Sequence, residues 1–234
     1  WLDLGSEDRI MENTLFSSQA GFMTALNGVY IELNTNELYG RNLTAGALDV
    51  MGQYYSVASS SHAFYNYGGL VYTGNDEKAL FDNMWQKCYA VIACCNTIIE
   101  KCDENKAGLS PVWKGSIKGE ALALRAMLHF DMLRLFGPLT SELDKESIPY
   151  QTNSDQTVTP LLSGSEVIGL ILDDLKNAVG LLKDTDPYFV EEEFSDTDLN
   201  YRRFRMNYFA AKGLMARVQL WGGDKEKAAA TAKE

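Results

Sequence analysis

The sequence predicts an all-α fold: a stack of helix pairs interrupted by one long irregular loop insertion, with little strand. Three observations predict it. Apolar residues recur at three-and-four spacing over several long segments. Those segments stop at glycine and proline. Nowhere does apolar-polar alternation persist long enough to build a large sheet.

The first stripe runs from Ser17 to about Leu33, through Phe22, Leu26, Val29, Tyr30 and Leu33. The cleanest runs from Glu77 to Cys102 and carries Leu80, Met84, Cys88, Val91, Ile92, Cys95, Ile98 and Cys102 on one broad face. Asn75 or Asp76 can cap its start, and Gly108 with Pro111 falls after its end. A second long helix is expected from about Val112 to Phe136, terminated by Gly137-Pro138. A third covers Ser165 to Leu182. A fourth covers Asn207 to Trp221 and stops at Gly222-Gly223, and another begins near Asp224. The polar stretch from Pro138 to Pro160 is irregular, with a short strand expected at Ser147–Tyr150. Thr185 to Arg203 is acidic and loop-like. The final AAATAKE is good helix-forming sequence without a cap or an apolar partner, as expected of a helix that has lost its neighbour.

Bulk properties exclude some functions. A formal net charge of -11, with no cluster of Lys and Arg, is wrong for a phosphate backbone and for an anionic membrane surface. Apolar content of 46% fits an ordered globular chain. No apolar run approaches the ~20 residues that span a bilayer. The chain begins at Trp1, without Met and without a charged-then-apolar leader, and a leader could have been removed. Cys88, Cys95 and Cys102 repeat every seven residues, so neighbours on a helix lie ~10.5 Å apart. That is too far for a disulfide and poor for zinc, so they are expected to be small buried side chains, a usage that hints at a reducing compartment.

The helix through Gly119–Leu139 carries Glu120, Arg125, His129, Asp131 and Arg134 among apolar residues. Catalysis would need a cleft, and His129 as a base would need a substrate beside it. Paired charges that brace the stack are the expectation, with Asp131 and Arg134 close enough to pair. There is also an internal echo. Ala126, Leu133, Leu135, Phe136 and Gly137 are matched by Ala211, Val218, Leu220, Trp221 and Gly222, each 85 residues later. A small residue lets a neighbouring helix approach and a large one four later fills the groove, as in tetratricopeptide-like stacks.

The run Glu120-Ala121-Leu122-Ala123-Leu124-Arg125-Ala126, followed by His129-Phe130-Asp131-Met132-Leu133-Arg134-Leu135-Phe136-Gly137-Pro138, resembles the signature helix of the SusD/RagB family. These are outer-membrane nutrient-binding lipoproteins of Bacteroidetes. Trp1-Leu2-Asp3-Leu4 resembles the start of the mature family domain. Trp85, Tyr89, Ile92, Cys95-Asn96 and Ile99 resemble its preceding helix, and Ala210-Ala211, Ala216-Arg217-Val218 and Leu220 a later repeat helix. The resemblance runs in family order over residues 1–234. It implies one tetratricopeptide-like N-terminal helical domain, with the family's C-terminal part outside this chain. It also implies cell-surface residence at the outer membrane through a lipidated cysteine. The implied role is non-enzymatic capture of a glycan or other nutrient for a partner SusC-like TonB-dependent transporter. Surface export would override the cysteine hint.

Leu48–Gly74 has a different texture: aromatic residues in a loop of Ser, Gly and Asn. Scaffold-borne loops often carry function. Tyr54, Tyr55, Phe64, Tyr65, Tyr67 and Tyr72 offer flat faces on which a sugar ring can stack. Asp49, Gln53, His62 and Asn66 offer hydrogen bonds to its hydroxyls. Such a site needs no metal or cofactor. The competing expectation is that some of these rings form the loop's own small core. Tyr39 has a weaker claim, and Trp85, Trp113 and Trp221 sit where helices pack.

Two other classes are open. A helical scaffold could hold a protein or peptide instead. A glycosidase would need two carboxylates across a cleft; Asp49 and Asp76 bracket the loop, but nothing pairs them. The run Glu191-Glu192-Glu193 lacks calcium-loop spacing and reads as a solvated surface. Nucleophile-elbow, phosphate-loop and H-E-x-x-H motifs are absent.

Overall fold

A computed structural model describes residues 11–155 and 157–234. The expected resemblance at Trp1-Leu2-Asp3-Leu4 lies outside the described residues. Helices dominate: α1 (Gln19–Leu33), α2 (Ala47–Met51), α3 (Tyr65–Gly68), α4 (Asn75–Glu104), α5 (Pro111–Phe136), α6 (Gly164–Thr185), α7 (Asp196–Arg202), α8 (Tyr208–Trp221) and α9 (Lys225–Thr231). Two short strands, β1 (Glu146–Pro149) and β2 (Leu161–Ser163), pair antiparallel with Glu146 opposite Ser163 and Pro149 opposite Leu161. The chain divides into two compact units. One comprises residues up to Leu26 together with Ile92–Glu234, and the other Asn27–Val91.

Local chemistry sets the helix boundaries. Ser110 caps α5 by accepting from the Trp113 N–H, with Pro111 at the first helical position, where its missing N–H costs nothing. Ser163 and Glu166 form a capping box that starts α6. Asn207 and Asp224 cap α8 and α9. The segment Thr185–Arg203 is a correction to the expected loop. It holds a 3-10 turn at Glu191–Glu193 and α7, the latter opened by a second capping box from Ser195 and Asp198. β2 was also not anticipated, because three residues give too few alternations to register as a strand.

In the larger unit α5 packs along α6, α6 along α8, and α8 against α9, which is the expected helix-pair stack. Small residues allow the approach. A Cβ on Gly115 would meet Thr185 Cγ2 at 2.5 Å, and one on Gly119 would meet Leu182 Cγ at 2.8 Å. The echoed positions Ala126 and Ala211 are both sealed, as are Leu133 and Val218, so the repeat marks equivalent core positions. Leu220 departs from it and is exposed. Trp221 packs edge-on against Phe130, and Trp113 lies 4.4 Å from the Phe194 ring. Cys88, Cys95 and Cys102 are buried along α4; burial pushes the Cys102 thiol up to about 12.

Glu120, Arg125 and His129 of α5 point inward and brace the stack. Arg125 grips Asp174 of α6 with two 2.7 Å bonds, from Nε to Oδ2 and from Nη2 to Oδ1. Its Nη1 donates to Asn96 Oδ1 at 2.8 Å. The Tyr150 hydroxyl donates to Asp174 Oδ2 at 2.6 Å. Glu120 accepts from Arg202 of α7 and, at 2.8 Å, from Arg205 Nε. Asp186, just after α6, accepts from Arg202 Nη2 at 3.1 Å and from the Tyr208 N–H at 2.9 Å. Asp131 and Arg134 pair at 3.3 Å, as their spacing predicts.

His129 is fully enclosed and both ring nitrogens are used. Nδ1 lies 3.0 Å from the Arg125 carbonyl, and Nε2 accepts from the Gln151 N–H at 3.0 Å. The ring therefore carries its proton on Nδ1, and it stacks on Tyr150 at 3.9 Å. Burial lowers its pKa to about 3, with the nearby Arg125 charge acting the same way. An unfolded His titrates near 6.5, so between about pH 6.5 and 3 the unfolded chain binds a proton that the native one refuses. The His129 contribution is complete above pH 6.5 and is lost as pH falls toward 3. Denaturant titrations at pH 6 and pH 5 are expected to differ by about 1 kcal/mol from this residue. In His129→Gln that part of the slope should vanish; an unchanged slope would refute the assignment.

Candidate functional site

The loop between α1 and α4 folds on itself inside the smaller unit. Ala47 and Val50 of α2 and Tyr67 of α3 form a small core, with Met51, Val57, Phe64, Tyr72, Leu80 and Phe81 packed around it. Tyr67 is only 2% exposed, and its ring sits 5.8 Å from Phe64 and 6.0 Å from Phe81, both edge-on. Burial, with Glu77 and Asp76 nearby, raises its hydroxyl above the ordinary value. Tyr67 is thus a packing residue, which corrects its expected place on a binding face: an interior ring cannot stack on a sugar.

Beside this core the loop walls off an open cavity of about 430 Å3, lined by Gln53, Tyr55, Ser56, Val57, Tyr65, Asn66, Gly68, Gly69 and Val71. Four expected contact residues, Gln53, Tyr55, Tyr65 and Asn66, meet there. Tyr55 is 53% exposed and Tyr65 42%, so each leaves about half of its surface open.

The other expected residues stand elsewhere. Tyr54 is 80% exposed and outside the lining. His62 is exposed, and its Nδ1 accepts from the Phe64 N–H at 3.1 Å, which ties a turn together. Phe64 is half-buried against Tyr67, with the Arg41 guanidinium 5.7 Å above its ring. Tyr72 is half-buried, edge-on to Phe81 at 5.5 Å. Asp49 lies on α2, where its carbonyl accepts from the Tyr54 N–H at 2.9 Å. Helix packing, not sequence proximity, decides which loop residues share a wall.

Hydrogen bonds hold the walls in place. The Val71 N–H donates to the Asn66 carbonyl at 2.8 Å, and Gln53 Nε2 donates to the Gly68 carbonyl at 3.0 Å. Asn66 Nδ2 donates to Glu77 Oε1 at 2.8 Å. Glu77 is buried in the first turn of α4, where the helix dipole favours a carboxylate. Gly74 makes room for it, since a Cβ there would overlap Glu77 Oε2. Gln53 and Leu70 adopt left-handed backbone, with φ of 61° and 55°. Such conformations strain residues other than glycine, and they recur where a loop is shaped for binding.

The chemistry available is recognition. Two tyrosine faces can receive the C–H side of a pyranose, and two amides can meet its hydroxyls. No carboxylate stands among the lining residues. Sequence reasoning missed Ser56, Val57, Gly68, Gly69 and Val71. The Gly68-Gly69 pair is the turn signal that places the far wall.

Against known proteins, the family described as starch-binding and associating with the outer membrane, SusD-like, matches residues 1–220. The chain belongs to the SusD-like family. Its relatives include SusD-like protein P2 of Formosa agariphila, 25% identical over 227 residues, covering 94% of this chain and 39% of that protein. A SusD-like protein of Bacteroides ovatus is 30% identical over 146 residues, covering 61% of this chain and 23% of its own length. A SusD-like carbohydrate-binding protein of Bacteroides vulgatus superposes with a TM-score of 0.72 at 23% identity, over 93% of this chain and 44% of that one. A laminarin-binding SusD-like protein superposes at 0.65 with 16% identity, over 92% of this chain and 42% of its own. The SusD-like chain in hand therefore spans less than half the length of these relatives. Among the described residues, no helix is long and apolar enough to cross a membrane, and no group of His, Cys, Asp and Glu could hold a metal ion.

Proposed function

We propose that this SusD-like chain is part of a non-enzymatic glycan-binding protein at the cell surface. In this reading it is lipid-anchored to the outer membrane and delivers an oligosaccharide to a SusC-like TonB-dependent transporter. The observation that carries the reading is the cavity in which Tyr55 and Tyr65, each partly open, stand with Gln53 and Asn66. It agrees with the family's description as starch-binding and with the carbohydrate-binding and laminarin-binding relatives. A non-catalytic role is supported by the inward commitment of Glu120, Arg125 and His129, which leaves none of them facing a substrate.

Calorimetric titration with neutral hexaoses of α-1,4-glucan, β-1,3-glucan and β-1,4-mannan tests it. At least one should bind, and Tyr55→Ala and Tyr65→Ala should each weaken it about tenfold, ~1.4 kcal/mol, at an unchanged melting midpoint. Tyr67→Ala should instead lower stability by about 2 kcal/mol, because it empties the loop's core. Equal losses of binding and stability in all three variants would make the loop purely structural.

A second reading, docking of a protein or peptide, has one observation in its favour. Tyr188, Phe189, Tyr201, Phe204 and Phe209 are all exposed in the larger unit. Phe189, Tyr208 and Phe209 touch one another, with ring centroids 5.3 to 6.0 Å apart. Glycan binding that survives Phe204→Ser and Phe209→Ser would keep that surface separate from the loop cavity.

A further inference from the structure

Resting on the glycan reading of the loop cavity, we infer that the site selects uncharged sugars and rejects uronates and sulfated sugars. The two wall amides are oriented by their protein partners. Glu77 carries a carboxylate and Gly68 a carbonyl, and both can only accept, so Asn66 Nδ2 and Gln53 Nε2 must face them. The carbonyl oxygens of the same two amides, Oδ1 and Oε1, can only accept. A sugar hydroxyl brings the proton that such an oxygen needs. A carboxylate or sulfate brings only further lone pairs to these oxygens, and the donors left to it in the lining are neutral, the hydroxyls of Tyr55, Tyr65 and Ser56 among them, which repay the lost water less than a cation would.

The surrounding charge acts in the same direction. No Lys or Arg lines the cavity. The guanidinium of Arg41 lies over the Phe64 ring, outside the lining. Behind Asn66 stands the buried Glu77 carboxylate, and Asp76 is beside it at the start of α4. These carboxylates repel an anion, and an opening to solvent moderates that repulsion without reversing it. At long range the chain's net charge of -11 disfavours the approach of an anionic polysaccharide.

The test compares each neutral hexaose of the panel with the same hexaose oxidised at C6 to its uronate. The expected result is that a neutral hexaose binds while its oxidised counterpart binds at least about tenfold more weakly. Val71→Lys adds a cation to the wall at an exposed position and is expected to bring the uronate to within about threefold of the neutral sugar. A uronate that binds the unaltered protein as well as its neutral counterpart overturns this inference while leaving glycan binding intact. So does a neutral-to-uronate ratio that does not move in Val71→Lys. If no hexaose of either kind binds, the glycan reading itself fails, and the selectivity falls with it.

Discussion

Replacing Glu120 by alanine is expected to lower stability by about 3–5 kcal/mol, among the largest effects of any single substitution in this chain. Glu120 is 1% exposed, and its two oxygens accept from Arg202 and Arg205. Burial opposes the charge on Arg202, but Glu120 and Asp186 outweigh it and hold the guanidinium ionised. Among the described residues, removing Glu120 leaves Arg202 with Asp186 as its carboxylate and with an Nε that already lacks a partner. For a domain of this size the melting midpoint should fall by roughly 10 °C. Glu120→Gln, which keeps one acceptor oxygen, should fall less. A midpoint unchanged in Glu120→Ala would mean that water reaches the guanidiniums and that the network braces nothing.

Asp174→Ala is expected to cost a similar amount, about 3–5 kcal/mol, for a related reason. It strips both bonds of a fork-to-carboxylate pair from Arg125 and the acceptor from the Tyr150 hydroxyl. Among the described residues, Arg125 then keeps Asn96 Oδ1 and a 3.4 Å contact to the Thr152 carbonyl. The double variant Arg125→Met with Asp174→Leu removes both charges together and should recover much of the loss, since a buried ion pair is often replaceable by apolar side chains. Urea titration of the two single variants and the double completes the cycle. Equal instability of the double variant and of Asp174→Ala would show that packing, and not the orphaned charge, carries the cost.

Both pairs illustrate how far a one-dimensional reading reaches. The Glu120–Arg134 helix visibly carried too many charges for a buried element, and bracing was the expected outcome. Asp131 and Arg134 could be paired from spacing alone because a helix fixes the distance between residues three apart. Arg125 and Asp174 lie 49 positions apart, and Glu120 and Arg202 82 apart. No local rule connects such residues. The acidic segment before α8 read as loop because its overall polarity hid a capping box, although Ser195 and Asp198 are the signal that starts α7. In the aromatic loop, composition marked the region without distinguishing Tyr65 from Tyr67, two residues apart. On α3 one ring opens to the cavity and the other seals the loop's core.

Asn75, expected as a possible cap, is instead the first residue of α4, and α6 runs on to Thr185. By itself, the sequence determined the helical stack, the stop of α5 at Gly137, the buried cysteine face and the aromatic texture of the loop. Each follows from periodicity or from a capping residue, which are interactions between neighbours along the chain. Tertiary structure alone decided which tyrosines remain open, which acceptors hold the wall amides and which carboxylate neutralises each buried arginine. Those outcomes depend on residues brought together from distant positions, where the cost of an unsatisfied buried group selects the partner.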